Sequence, residues 1–365
     1  MAISTAHAPA RDGPALGTGR VEDVSLGSVR LESGVELDDV VAAYRHDGLP
    51  PPAPQALAVH ALTGSADAAG DWWAPLIGPG LALDTERGGV LGVNLLGGNY
   101  GSTGPSSIDP ATGRPFERSF PDVTVRDQAR FLWLVADVLG IERIEVATGG
   151  SLGGMIALEV ALERPDAVDV VVPIAAPAST GALAIAWNHI QLELVDRLGE
   201  DGMALARQLA MTTYRSEIDF DGRFGRDRGR DGRFAVVSYL DHQGEKLVER
   251  FDPDTYRVLA RTIDSHDIGR GRGGVIPALR RLAASGTRLT GAGVVGDILY
   301  GPAQVLSLLE AARTAGVDTT YREIRSTKGH DAFLVEWDQL TAIIRDAVAG
   351  RSPQPSLVNV EAGAA

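Results

Sequence analysis

The chain predicts an α/β fold built on a mostly parallel, doubly wound sheet, and three observations carry that expectation. Short, largely apolar runs such as 56–60 and 90–94 read as strands buried on both faces. They alternate with longer stretches of helical period, 124–140 among them, which implies parallel strands joined by right-handed crossovers. The third observation is Gly149-Gly150-Ser151-Leu152-Gly153, a G-x-S-x-G run between a short strand (144–147) and a helix (155–162).

From the N-terminus, Met1 to Arg20 holds Ala, Pro, Gly and polar residues, with neither a basic start nor an apolar stretch. It reads as a disordered tail and not as a signal peptide. Residues 24–45 alternate as an entry hairpin, with Val29 and Leu31 in one arm and Val40, Val41 and Tyr44 in the other. In the 124–140 helix, Val125, Ala129, Leu132 and Ala136 fall on one face. A strand at 170–174 follows the helix of Ser151. From 176 to 274 the pattern changes to amphipathic helices and polar loops, with the Asp-, Gly- and Arg-rich stretch 219–233 reading as a solvated loop. Strand pattern returns at 288–290 and 293–295, then at 319–324, with a helix at 304–315 between. The expected organisation is a core of residues 21–175 and 275–349, an inserted all-helical lid over 176–274, and a second disordered tail over 350–365.

A formal net charge of −14 and few aromatic residues argue against a nucleic-acid binder, which needs a basic excess to meet phosphates. No run approaches a membrane span. The absence of cysteine removes disulfides, thiolate metal sites and cysteine nucleophiles together, and it fits a cytoplasmic protein. No motif asks for a metal or a bound cofactor. Gly291 to Gly296 matches G-x-G-x-x-G literally, but its valines read as strand where a dinucleotide site needs a helix to open.

A G-x-S-x-G run between strand and helix is the nucleophile elbow of the α/β-hydrolase fold; five residues alone also fit an ordinary Gly-rich turn. A serine hydroxyl attacks only when a base takes its proton and an acid orients that base. In this fold the chain order is serine, acid, histidine. Of the seven histidines, His7, His46 and His60 precede Ser151, while His189, His242 and His266 lie in the helical stretch. That leaves His330 as the base. Asp297 closes the strand before it, with room for one crossover helix and a strand between them; its other reading is a cap ahead of Leu299. Two backbone N–H groups should face the oxyanion. One belongs to Leu152, and the other to the 60–64 loop, at Leu62 with Thr63 as the alternative.

Several runs then resemble one family. They are His60-Ala61-Leu62-Thr63-Gly64-Ser65-Ala66, Trp72-Trp73, Leu76 to Gly80, Asn94 to Ile108, Gly150 to Met155, Ser238 to Asp241, Gly244-Glu245-Lys246 and His266 to Gly271. Together they are similar to the homoserine O-acetyltransferases, acyltransferases on the α/β-hydrolase fold, from about Leu31 to Ala347. The resemblance implies Ser151, Asp297 and His330 as triad, acetyl-CoA as co-substrate, a hydroxyl-bearing acceptor such as homoserine, and a place in methionine biosynthesis. It also implies that Arg207 grips the acceptor carboxylate with Tyr214 nearby, that Asp331 holds the acceptor's ammonium, and that the lid forms a homodimer. A planar guanidinium suits a carboxylate, and a carboxylate suits an ammonium.

The chain departs from the family pattern at Asp67, in Ala210 to Thr213 ahead of Tyr214, at Gly301-Pro302 and at Asn188-His189. The alternatives are therefore a paralogue acetylating L-serine or a natural-product alcohol, and a serine esterase with water as acceptor. An acidic protein that takes polyanionic CoA also needs a local arginine-rich patch, which the sequence alone does not locate.

Overall fold

The computed structural model describes residues 16–350, so 1–15 and 351–365 of the expected tails lie outside the described residues. In chain order the strands of the main sheet are β1 (Val21–Arg30), β2 (Glu36–Gly48), β3 (Gln55–Val59), β4 (Gly89–Val93), β5 (Ile144–Gly150), β6 (Val168–Ile174), β7 (Arg288–Val294) and β8 (Thr319–Ile324). Their spatial order is β1-β2-β4-β3-β5-β6-β7-β8. The β1–β2 hairpin and the β2–β4 pair are antiparallel, and every pair from β4 across to β8 is parallel. Residues 16–20, read as part of the first tail, are tied to β2. The Gly17 N–H donates to His46 Nδ1 at 2.9 Å and the Gly19 N–H to the His46 carbonyl at 3.1 Å.

Helices cover both sheet faces because the strands are apolar on both. In β6, Val171 points into one core with Leu132 and Ile156, while Val170 and Val172 point into the other with Trp73 and Ile344. The first core packs α1 (Val125–Val138) and α2 (Leu152–Glu163). Thr124 and Asp127 close a capping box at the start of α1, which fixes where that helix begins. Helix α2 is apolar nearly all round, as a helix packed on every side must be. Its one buried acid, Glu159, is matched by Arg272 at 2.7 Å and Arg126 at 3.5 Å.

Between β6 and β7 the chain forms α3 (Ala182–Leu198), α4 (Glu200–Tyr214), α5 (Glu217–Arg223), α6 (Ala235–Val248) and α7 (Pro253–Asp264) before returning through α8 (Val275–Ser285). The expected loop at 219–233 is corrected over its first part. Ser216 caps α5 by accepting from the Asp219 N–H at 3.1 Å, and Asp219 is buried against Lys328 at 2.6 Å, with Arg223 and Arg215 at 3.5 and 3.8 Å. Asp219 is thus buried among cations, two of them from outside the stretch, whereas residues 221–223 and 225–233 are exposed, as a solvated stretch requires. Two last helices, α9 (Pro302–Ala315) and α10 (Trp337–Val348), complete the core. Among the described residues no helix is long and apolar enough to cross a membrane.

Candidate active site

Ser151 stands between β5 and α2 with φ 56° and ψ −125°, a conformation that costs a non-glycine residue about 1–3 kcal/mol. The surrounding chain holds it there. The Ser151 N–H donates to the Ile174 carbonyl at 2.9 Å, and the Met155 N–H to the Ser151 carbonyl at 3.0 Å. A Cβ on Gly153 would lie 2.1 Å from the Val59 carbonyl oxygen, and one on Gly150 would lie 2.3 Å from the Phe333 ring. Those two glycines let β3 and the histidine loop close around the serine.

His330 lies in a 3₁₀ turn, Gly329–Leu334, after β8. Its Nδ1 is 2.7 Å from Asp297 Oδ2, and both residues are buried. The other carboxylate oxygen, Oδ1, accepts from the N–H groups of Leu299 at 2.8 Å and Tyr300 at 3.0 Å. Asp297 is therefore a loop cap and a histidine partner at once, one oxygen for each. His330 Nε2 is buried without a hydrogen-bond partner, and His330 and Ser151 line the same cavity. Nucleophile–base contacts are often long in unliganded sites and tighten with substrate. Burial works to lower the His330 pKa, but the charge and hydrogen bond of Asp297 and the charge of Asp331 outweigh it, leaving the imidazole above its usual range.

Sequence reasoning missed the aromatic cage that fixes this ring. Tyr214, Tyr300 and Phe333 stand 5.8, 5.5 and 5.5 Å from the imidazole, centroid to centroid. Nothing in a single chain marks Tyr300 or Phe333 except proximity to Asp297 and His330.

The cavity measures about 100 Å³. Leu62 and Thr63 line it from the 60–64 loop, Arg207 and Tyr214 from α4, and Asp331 from the histidine turn. The Leu152 N–H opens α2, where a helix offers no internal acceptor. The Leu62 N–H makes no hydrogen bond to another described residue. His60 braces this loop. Its Nδ1 lies 2.7 Å from the Ala61 carbonyl, its Nε2 accepts from the Leu95 N–H at 3.1 Å, and burial drops its pKa to about 4, so the ring is neutral.

The Arg207 guanidinium lies 5.5 Å over the Tyr214 ring and has no carboxylate at ion-pair distance among the described residues. Asp331 Oδ2 is 3.1 Å from Arg215 Nε, a partner the sequence did not reveal. Burial raises the Asp331 pKa against the opposing pull of Arg215 and Arg207. Of the departures from the family pattern, Asp67 points away and pairs with Arg45, while Asn188 and Thr213 line the cavity. One small space thus holds a strained serine, a histidine tied to a buried carboxylate, two unused N–H groups, a cation and an anion. Such a set can form and discharge an acyl-serine on a small zwitterion.

A family model described as the alpha/beta hydrolase fold matches residues 57–258. A homoserine O-acetyltransferase from Moorella thermoacetica is 39% identical over 348 residues, covering 87% of this chain and 92% of that protein. One from Thermus thermophilus is 43% identical over 316 residues, covering 79% of this chain and 80% of the other. A crystal structure of homoserine O-acetyltransferase from Bacillus anthracis superposes with a TM-score of 0.84 at 20% identity, covering 92% of this chain and 99% of that one, which speaks to the fold alone.

Proposed function

The chain belongs to the homoserine O-acetyltransferase family, and from that premise we propose that it moves an acetyl group from acetyl-CoA to the hydroxyl of L-homoserine. The observation that carries the reading is the placement of Arg207 and Asp331 in the same cavity as Ser151 and His330. An esterase has no use for a cation and an anion flanking its serine, whereas an amino-acid acceptor presents a carboxylate and an ammonium to them.

In the first half-reaction His330 Nε2 takes the Ser151 proton as Oγ attacks the thioester carbonyl, and the Leu62 and Leu152 N–H groups receive the oxyanion. Collapse breaks the C–S bond, the proton passes from His330 to the departing thiolate, and acetyl-Ser151 remains. In the second, His330 takes the proton of the acceptor hydroxyl, whose oxygen attacks the ester. Collapse then returns that proton to Ser151 and releases O-acetyl-L-homoserine, a precursor for methionine biosynthesis. Asp297 keeps the imidazole proton on Nδ1 throughout. One covalent intermediate shared by two half-reactions makes the kinetics ping-pong.

The helical block acts as the lid of this site and as the contact of a cytoplasmic homodimer. Leu183, Ile190 and Leu198 of α3 and Leu205 of α4 are 61, 49, 52 and 41% exposed, an apolar set suited to a second copy. The deciding experiment follows thiol release from acetyl-CoA with L-homoserine, L-serine, a carboxylate-free amino alcohol, or no acceptor. Homoserine should accelerate release most. Equal release with and without any acceptor would make the protein a hydrolase, and a preference for serine would give Asn188 and Thr213 a role in acceptor choice.

A further inference from the structure

A second cavity, of about 690 Å³, opens beside the first and shares Ala61, Thr63, Arg207 and Leu334 with it. Size separates the two. The inner space of about 100 Å³ is far below the roughly 300–1,000 Å³ of sites that enclose drug-sized ligands, and the outer one lies inside that range. A CoA thioester therefore cannot lie wholly in the inner cavity. Only its acyl end reaches Ser151, and its nucleotide must rest elsewhere.

Charge points to where. Lys246 in α6 and Arg250 just after it line the outer cavity, with Arg207 at the neck between the two spaces, and Asp71 is the carboxylate of the lining. Among the described residues none of these three cations has a carboxylate at ion-pair distance, whereas Arg126, Arg272 and Lys328 are each matched by one. In a chain with a formal charge of −14, unmatched cations gathered at one opening form a local anion site. Arg250 is also oriented without being neutralised. It donates to the Tyr100 hydroxyl at 2.8 Å and to the Thr63 carbonyl at 3.0 Å, both uncharged acceptors. Trp72 adds an aromatic wall.

We infer that the outer cavity holds the phosphate-bearing part of a CoA thioester, with Lys246 and Arg250 as its phosphate contacts. The uncharged pantetheine arm then runs past Thr63 and Arg207 to Ser151, which leaves Arg207 for the acceptor. The inference rests on the acyl-transfer reading above, and it places the basic patch that the sequence left unlocated in the helical block and not in the core.

The test compares Ser151 acetylation by acetyl-CoA and by S-acetylpantetheine, which carries the same thioester without the nucleotide. Wild-type protein, Lys246→Ala and Lys246→Glu are used, since Lys246 is exposed and its replacement leaves the core untouched. Wild type should prefer acetyl-CoA, and the preference should shrink as salt rises. Lys246→Ala should reduce kcat/KM for acetyl-CoA about tenfold, the scale of one charge-assisted contact, and Lys246→Glu should reduce it further. Values for S-acetylpantetheine should stay within about twofold, because only the nucleotide meets Lys246. A donor preference unmoved by Lys246→Glu, with both thioesters acetylating Ser151, would overturn this inference alone. No acetyl-enzyme from either thioester in wild type would overturn the acyl-transfer reading and the inference with it.

Discussion

Asp297→Asn separates catalysis from stability because the two carboxylate oxygens have different partners. Oδ1 accepts from the Leu299 and Tyr300 N–H groups, and Oδ2 faces His330 Nδ1. An asparagine can keep its carbonyl oxygen on the two N–H groups, which puts its NH₂ against Nδ1. The flipped amide would set a donor against two donors and abandon two buried hydrogen bonds, about 1–3 kcal/mol for each group left unpaired. The backbone thus chooses the orientation, and the NH₂ then forces the imidazole proton onto Nε2. A histidine so protonated cannot accept the Ser151 proton. Loss of the correct tautomer costs on the order of ten-thousandfold in turnover, about 5.4 kcal/mol of barrier. Thermal stability should change little, because the cap is retained. Asp297→Ala, which removes the cap as well, should lower Tm in addition. The assay pairs a stopped-flow measurement of CoA release with a melting curve for each variant. Turnover within tenfold of wild type in Asp297→Asn would refute the tautomer argument and move the acid role elsewhere.

Ser151→Ala should abolish the acetyl adduct seen by intact-protein mass spectrometry and cut turnover at least about a thousandfold; transfer near the wild-type rate would remove Ser151 from the mechanism. Arg207→Ala should leave the CoA burst in place while transfer to homoserine falls by about 30-fold or more, from loss of about 2–5 kcal/mol of charged contact. Damage should be far smaller with an acceptor lacking a carboxylate, and equal damage to both half-reactions would deny Arg207 that role. For pH dependence, the base works only when neutral, and the nearby carboxylates hold His330 above its usual pKa, so activity should rise through a pH above about 6.5. Asp331→Asn removes one of the charges that raise it and should move that acid limb to lower pH; a limb that stays put would mean that Asp331 does not act on the base.

The elbow was legible because its chemistry is local. Glycines that must lack a Cβ beside Val59 and Phe333 leave a mark in five consecutive residues. The pairing of Asp297 with His330 was legible through chain order, since a parallel sheet delivers such residues at the ends of successive strands in a fixed sequence. What stayed hidden depends on contacts between distant segments. Arg215 gains meaning only because the end of α4 meets the turn of Asp331, more than a hundred residues later. The burial of Asp219 stayed hidden because two of its three cation partners, Arg215 and Lys328, lie outside the charged stretch that contains it. Periodicity reads one element at a time, and these features belong to pairs of elements.

Under the proposed function, the inserted helices decide what this site acts on. A serine elbow with an acid and a histidine is common property of its fold, and water can discharge an acyl-serine as readily as an alcohol can. The core elements supply Ser151, His330 and the 60–64 loop. Arg207 and Tyr214 come from α4, Asn188 from α3, and Lys246 from α6, all in the stretch between β6 and β7. On that proposal bond making belongs to the sheet, and recognition of both carboxylate and phosphate to the helical block. Substitutions in α3, α4 and α6 should accordingly change which acceptor or donor is used while acetylation of Ser151 by a minimal thioester survives. Substitutions at the ends of β5, β7 and β8 should abolish acetylation whatever the substrate. Two libraries, one for each set of positions, assayed with S-acetylpantetheine and with acetyl-CoA plus homoserine, would separate these outcomes. Loss of minimal acetylation spread equally over both sets would contradict the division.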